Sequence, residues 1–176
     1  MLTLCTPFFL SLMLLLCLPT YIKAQALNPA ITKTNFAGKI IGITDGDTYK
    51  ILYNNQAFTL RLAHIDCPEK RGNQPYGTEA KKIASMLCFG KQVNVVHQGF
   101  DRNKRIIAEI YLLNNTFINL KMVQLGYAWH FKKYSKSQLF ANAEITARNA
   151  KVGLWASEVA IAPWDFRKKK KTKNVF

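Results

Sequence analysis

Apolar and polar positions alternate along much of the chain between residues 36 and 113. Residues 36–44 (FAGKIIGIT) and 48–53 (TYKILY) each read as a strand, with Asp45-Gly46 as the turn between them. Asn54-Asn55 predicts a tight hairpin with positive φ, from which residues 56–65 return as a third strand. Pro68 ends that strand and opens a polar loop over 69–76. The period then changes to that of a helix over 78–87, where Ala80, Ile83, Ala84 and Leu87 share one face. Residues 92–97 and 106–113 read as two further strands. A short helix follows over 118–125, closed by Gly126. A last helix runs over 135–150 with Leu139, Phe140, Ala143 and Ala147 as its expected buried face, and Gly153 lies beyond it.

Three strands, a helix, two strands and two helices leave no room for a strand–helix–strand parallel sheet. The order predicts an α+β fold, mainly β: a five-stranded barrel of the OB type with three helices. The domain is expected over 36–157, after a lead-in at 27–35. A basic tail follows at 158–176, whose run RKKKKTK (167–173) reads as a solvated, disordered terminus. Such a run adds non-specific attraction to phosphates at low salt.

The first 26 residues read differently. Residues 8–18 (FFLSLMLLLCL) form an uncharged apolar stretch too short to span a bilayer comfortably. Pro19 breaks it, and Ala24-Gln25-Ala26 supplies a small-x-small cleavage site, so residues 1–26 are expected to be a signal peptide and the product secreted or periplasmic. An uncleaved anchor is the rival reading, since no Lys or Arg precedes the run. Of the formal +15 charge, cleavage removes only Lys23, leaving +14. That charge favours a polyanionic partner, nucleic acid or an anionic membrane surface. The 49% hydrophobic content excludes global disorder. Cleavage also removes Cys5 and Cys17, and leaves Cys67 and Cys88, which an exported protein can pair. Sequence leaves their state open.

Charged positions gather in four places: Asp45-Gly46-Asp47-Thr48, Arg61, Asp66-Cys67-Pro68-Glu69, and the run 101–105 (DRNKR). Pairing across Asn54-Asn55 brings Asp47 towards the Arg61–Asp66 end of the hairpin. Two carboxylates there repel unless a cation lies between them. Carboxylate and carbonyl oxygens suit Ca²⁺ or Mg²⁺. Arg61 and Arg105 can each fork onto two phosphate oxygens. Glu69 is free to orient or deprotonate a water. A metal, two arginines and one acid together make a phosphodiester hydrolysis site.

These residues carry a resemblance to the staphylococcal nuclease (thermonuclease) family. The first family signature stands here as Asp45-Gly46-Asp47-Thr48, Ile51, and then Arg61-Leu62-Ala63-His64-Ile65-Asp66-Cys67-Pro68-Glu69, with Tyr49 in place of the usual aliphatic residue. The second is looser: Arg105 is retained, but Asn103 and Lys104 stand where the family often has Tyr and Gly. Likeness continues through Gln74-Pro75-Tyr76-Gly77-Thr78-Glu79-Ala80, Gly126-Tyr127-Ala128-Trp129 and Gly153-Leu154-Trp155. It implies that Asp47, Asp66 and the backbone carbonyl of Cys67 ligate Ca²⁺, that Glu69 acts on the attacking water, and that Arg61 and Arg105 clamp the scissile phosphate. It further implies cleavage of DNA and RNA to 3′-phosphate ends. Arg102, Lys104, Lys132 and Tyr134 are expected to contact substrate. Trp129 and Trp155 read as core, and His64 as a bystander at the site's rim. A monomer without stable membrane association is expected after cleavage. Two rival readings remain: an OB-fold nucleic-acid-binding module without catalysis, and a membrane-surface protein held by the N-terminus and the basic tail.

Overall fold

Strand β1 (Phe36–Asp45) pairs antiparallel with β2 (Thr48–Tyr53), and β2 with β3 (Gln56–Leu62), in the computed structural model, which describes residues 35–173. The expected signal peptide, and the lead-in up to residue 34, lie outside the described residues. Asn54 and Asn55 take φ of 46° and 58°, the left-handed pair that a two-residue hairpin needs. Strands β5 (Gln92–Phe100) and β6 (Ile106–Leu112) form a second hairpin. The barrel closes in the order β1-β2-β3-β6-β5, with β5 back on β1; only the β3–β6 pairing is parallel. This is the mainly β, α+β barrel of the OB type that the alternation predicts.

Inward positions fill the barrel: Ile40 and Ile43, Tyr49 and Ile51, Leu60 and Leu62, Val93 and Val95, and Ile106, Ala108 and Ile110. Helix α1 (Gly77–Cys88) closes on it through Ala80, Ala84 and Cys88, small residues one turn apart that bring the helix close. Helix α2 (Ile118–Gln124) adds Ile118, Met122 and Val123. A second cluster forms from Trp129, Trp155, Leu154, Ala147 and Ala162, with the Trp129 and Trp155 rings edge to face at 4.5 Å. Both tryptophans are core, as their sequence setting suggests.

Besides the strand expected over 92–97, which runs on to Phe100, the structure departs from the sequence expectation in three places. The third strand does not run to Ile65. It stops at Leu62, His64 turns the chain at φ 69°, and Ile65–Asp66 forms a separate strand, β4, paired with β7 (Trp129–His130). Helix α3 (Gln138–Asn149) starts three residues later than expected. Ser135 is held outside it, its hydroxyl 3.0 Å from both His64 Nδ1 and His130 Nε2. The face α3 buries is Phe140, Glu144 and Ala147, while Leu139 is exposed. Glu144 can go inward because Lys132 and Arg148 meet its two oxygens at 3.1 and 3.0 Å.

The third departure bears most on the site. Beyond a 3₁₀ turn at Gly153–Ala156, the basic run is not a disordered tail but part of a fourth helix, α4 (Pro163–Lys173), on which Lys168, Lys169 and Lys170 are exposed to solvent as expected. Trp164 docks it, lying flat on Phe131 at 5.4 Å and edge-on to Trp129 at 5.6 Å. Among the described residues no helix is long and apolar enough to cross a membrane.

Candidate active site

Hairpin register builds the first half of the site. Thr48 lies opposite Arg61, so Asp47, one residue earlier, reaches the Arg61 side chain. Leu60 and Leu62 point into the barrel, which turns Arg61 outward. The Asp47 carbonyl accepts from Leu62 N–H at 2.9 Å, and its carboxylate Oδ2 accepts from Cys67 N–H at 2.7 Å. Asp47 therefore ties the end of β2 to both ends of the turn between β3 and β4. That turn brings Asp66 back towards Arg61, whose Nη2 donates to Asp66 Oδ1 at 2.7 Å while Nη1 pairs with Asp47 Oδ2. One guanidinium thus bridges the two carboxylates expected to hold a cation. Asp66 is only 1% exposed, a burial that an unpaired carboxylate does not tolerate.

The loop after Pro68 is held just as firmly. Lys70 N–H donates to Asp45 Oδ1 at 2.9 Å, which gives the first aspartate of the Asp-Gly-Asp turn a structural task. Glu69 and Gln74 bond reciprocally: Glu69 N–H donates to Gln74 Oε1 at 3.0 Å, and Gln74 N–H to the Glu69 carbonyl at 3.1 Å. Gln74 Nε2 reaches on to the Ile161 carbonyl at 2.8 Å. Gly77 begins α1 directly against this loop, where a Cβ would stand 2.6 Å from the Glu69 carbonyl. Sequence marks Gln74 and Gly77 only as part of a resemblance; the structure shows that they position Glu69.

Arg105 approaches from the other hairpin. Its Nε donates to Asp101 Oδ2 at 2.7 Å and its backbone N–H to Asp101 Oδ1 at 2.9 Å. Burial alone would raise the Asp101 carboxyl, but the hydrogen bonds and charge of Arg105 outweigh it and hold it below the usual carboxylate range. The free arm of Arg105 reaches Thr48 Oγ1 at 3.4 Å, and that hydroxyl donates to Asp47 Oδ1 at 3.1 Å. Both arginines therefore converge on Asp47. Lys104 sits at φ 59°, which gives a physical reason for the glycine usual at this position of the signature.

The remaining expected substrate residues scatter. Arg102 and Lys104 are exposed on the turn before β6. Lys132 pairs with Glu144 on α3. Tyr134 is exposed, its ring edge-to-face with Phe131 at 4.9 Å. His64, expected at the site's rim, has a structural place there. Its Nε2 meets Glu109 at 2.8 Å, its Nδ1 meets Ser135, and its carbonyl accepts from Phe131 N–H at 2.8 Å, so it fixes the turn that presents Asp66. Cys67 and Cys88 are free and buried. Burial pushes both thiols up, Cys88 to about 12.

Sequence reading missed one member of the cluster. Arg167 on α4 places Nη2 2.6 Å from Asp66 Oδ2 and Nη1 2.5 Å from Glu69 Oε1. Burial would lower its pKa, yet the hydrogen bonds and charges of Asp66 and Glu69 raise it. Nothing in the run RKKKK singles out its first residue; only the docking of Trp164 does.

An OB-type barrel carrying Asp47, Arg61, Asp66, Glu69 and Arg105 at one end invites comparison with known proteins. The family described as "Staphylococcal nuclease homologue" matches residues 59–157. A Haemophilus influenzae protein named "Uncharacterized endonuclease" is 37% identical over 139 residues, covering 78% of this chain and 76% of its own. An Escherichia coli protein of the same name is 32% identical over 133 residues, 76% of this chain and 86% of its own. A Shigella flexneri protein named "Micrococcal nuclease" is 34% identical over 148 residues, 78% of this chain and 83% of its own. The chain belongs to the staphylococcal nuclease family.

Proposed function

We propose that this chain is an exported, Ca²⁺-dependent endonuclease that hydrolyses DNA and RNA to 3′-phosphate ends. As a member of its family it is a nuclease, a phosphodiester hydrolase. The observation that supports the finer reading is the meeting of Asp47 and Asp66 on Arg61 at one end of the barrel, with Arg105 one hydroxyl away and Glu69 joined to Asp66 through Arg167.

The donor chemistry fits a hard cation. Asp47 and Asp66 stand on either side of the Arg61 guanidinium, which already answers their charge. With the Cys67 carbonyl they form an all-oxygen set of the kind Ca²⁺ takes, completed by water and substrate. Bound there, the ion supplies positive charge against the phosphate as negative charge builds on it. Glu69 takes a proton from the attacking water as the new P–O bond forms. Arg61 and Arg105 fork onto the non-bridging oxygens, where charge is greatest in the transition state. The P–O5′ bond breaks, the 5′ oxygen leaves as a hydroxyl after gaining a proton from solvent, and phosphate stays on the 3′ side. Asp101 acts through Arg105 by fixing its Nε and leaving the outer arm for phosphate.

Cleavage of denatured DNA, followed with Ca²⁺, with Mg²⁺ and with a chelator beside Glu69→Gln, tests this. Activity that requires Ca²⁺ and falls by about a hundredfold or more in Glu69→Gln is expected, the scale of lost acid–base help. Binding without cleavage under every metal would instead make the chain a nucleic-acid-binding module.

A further inference from the structure

Arg167 lies outside both signatures and 62 residues beyond Arg105 in the chain, yet it occupies the centre of the site. Asp66 Oδ2 accepts from its Nη2 at 2.6 Å. Asp66 Oδ1, already bound to Arg61, is also 3.3 Å from its Nη1. The same Nη1 reaches Glu69. One planar group therefore grips the carboxylate expected to ligate metal and the carboxylate expected to handle water. Its backbone does not drift there by chance: Trp164, three residues earlier on the same helical face, is stacked on Phe131, and Ala162 is buried in the second core cluster.

We propose that Arg167 is a built-in counter-cation of the active site, and that a divalent metal ion binds by displacing its guanidinium from Asp66. Charge supports this. Asp47, Asp66 and Glu69 bring three negative charges, and Arg61 and Arg167 bring two positive ones. With Arg167 withdrawn the cluster is left two charges negative, which a divalent ion neutralises. A metal ligated to Asp66 at the ordinary 2.3–2.6 Å, roughly, would face the Arg167 cation only a few ångströms away. Of the two arginines on Asp66, Arg167 is the one able to yield. Arg61 is 15% exposed on a barrel strand and is held by Asp47 as well. Arg167 is 39% exposed at the end of a long side chain, so it can withdraw without moving α4.

The proposal rests on the metal-dependent reading above and deepens it, because the apparent affinity for metal is reduced by the fraction of molecules in which Arg167 still holds Asp66. Titration calorimetry of the purified protein with Ca²⁺ alone, without nucleic acid, reads that affinity directly. Arg167→Gln is expected to tighten the dissociation constant on the order of tenfold, within the usual range for coupled sites. Arg167→Lys, which keeps the charge but loses the fork, is expected to fall between, and it preserves the test should Arg167→Gln lose its fold by circular dichroism. Lys169→Gln removes the same charge from an exposed position of α4 and is expected to leave Ca²⁺ binding unchanged. Equal or weaker Ca²⁺ binding in both Arg167 variants overturns the proposal while the nuclease reading stands. A shift in Lys169→Gln as large as that in Arg167→Gln also overturns it, because general charge then explains the effect. Absence of Ca²⁺ binding in every protein overturns the proposal and the metal-dependent reading together.

Discussion

Asn119 is the buried residue through which barrel stability and site geometry are joined. Strand β3 pairs with β6 only as far as Leu62 opposite Ala108, then turns away at Ala63 and His64. Beyond that point the Ile110 N–H on β6 has lost its strand partner. Asn119, fully buried on α2, takes its place: Oδ1 accepts from Ile110 N–H at 3.0 Å, and Nδ2 donates to the Ala63 and Ala108 carbonyls, each at 3.0 Å. Ala108 O keeps a second donor, Ala63 N–H at 2.8 Å. Asn119→Ala therefore takes this partner from three backbone groups, of which Ile110 N–H and Ala63 C=O are left without the replacement that Ala108 C=O keeps. Each buried group left unsatisfied costs about 1–3 kcal/mol, so a loss of roughly 3–4 kcal/mol is expected. At this chain length that lowers Tm by roughly 10 °C.

Asn119→Asp sharpens the test, since it keeps the shape and the Ile110 bond. It replaces the donor facing two carbonyls with an acceptor and brings a charge into a buried place, so it is expected to be worse than Asn119→Ala. Thermal melts by circular dichroism measure both. Cleavage assayed well below each variant's Tm then asks whether the Ala63–His64 turn still presents Asp66, and a loss larger than the unfolded fraction explains is expected. A loss of less than about 1 kcal/mol in Asn119→Ala, or an aspartate variant as stable as the alanine one, would refute the reasoning.

Two other positions give equally direct outcomes. Gly46 lies between the two aspartates of the first signature, where an added Cβ would stand 2.8 Å from Cys67 Cβ, 2.9 Å from its Sγ and 3.0 Å from Ala80 Cβ. Gly46→Ala is expected to cost about 1–3 kcal/mol through overpacking and to lower cleavage by displacing Asp47; an unchanged urea midpoint would contradict the contact. The thiols of Cys67 and Cys88 are expected to resist iodoacetamide in the native protein at pH 8. With its pKa raised from 9.0 to about 12, Cys88 has a thiolate about a thousandfold rarer than in the unfolded chain. Peptide mass spectrometry with and without urea measures this, and rapid native labelling of either cysteine would rule it out.

What could be read from sequence, and what could not, divides along physical lines. The barrel was legible because the strands carry a period of two and the turns between the first three carry Asp45-Gly46 and Asn54-Asn55. The approach of Asp47 to Arg61 was legible because hairpin register alone brings them together, whereas Asp66 reaches Arg61 through the turn after β3. The break in the third strand was not. Residues 61–66 keep a strand-like pattern with no glycine, and the left-handed φ of His64 is held by its contacts with Glu109 and Ser135 and by Asn119 on the adjoining Ala63 carbonyl, all of which come from elsewhere in the chain. The buried face of α3 was misread because a glutamate counts as outward until its partners, Lys132 and Arg148, are known. Helix α4 carries no apolar stripe; what anchors it is Trp164 against Phe131 and Trp129, more than 30 residues earlier.

This division has a functional counterpart. The carboxylates of the site are fixed by backbone hydrogen bonds to neighbouring elements: Asp47 through Leu62 and Cys67, and the Glu69 loop through Gln74 and Asp45. Such constraints belong to the barrel and remain whatever fills the site. Among the cations the restraint is graded. Arg61 is bound to two carboxylates, Arg105 is held by Asp101 with one arm outward, and Arg167 rests on the carboxylates from a terminal helix. On the metal-dependent reading proposed above, rigid anions place an ion and a water, and cations shift as a phosphate, itself anionic, enters and leaves. Rigidity lies where the chain's register imposes it, and freedom lies with the long side chains, Arg167 most of all.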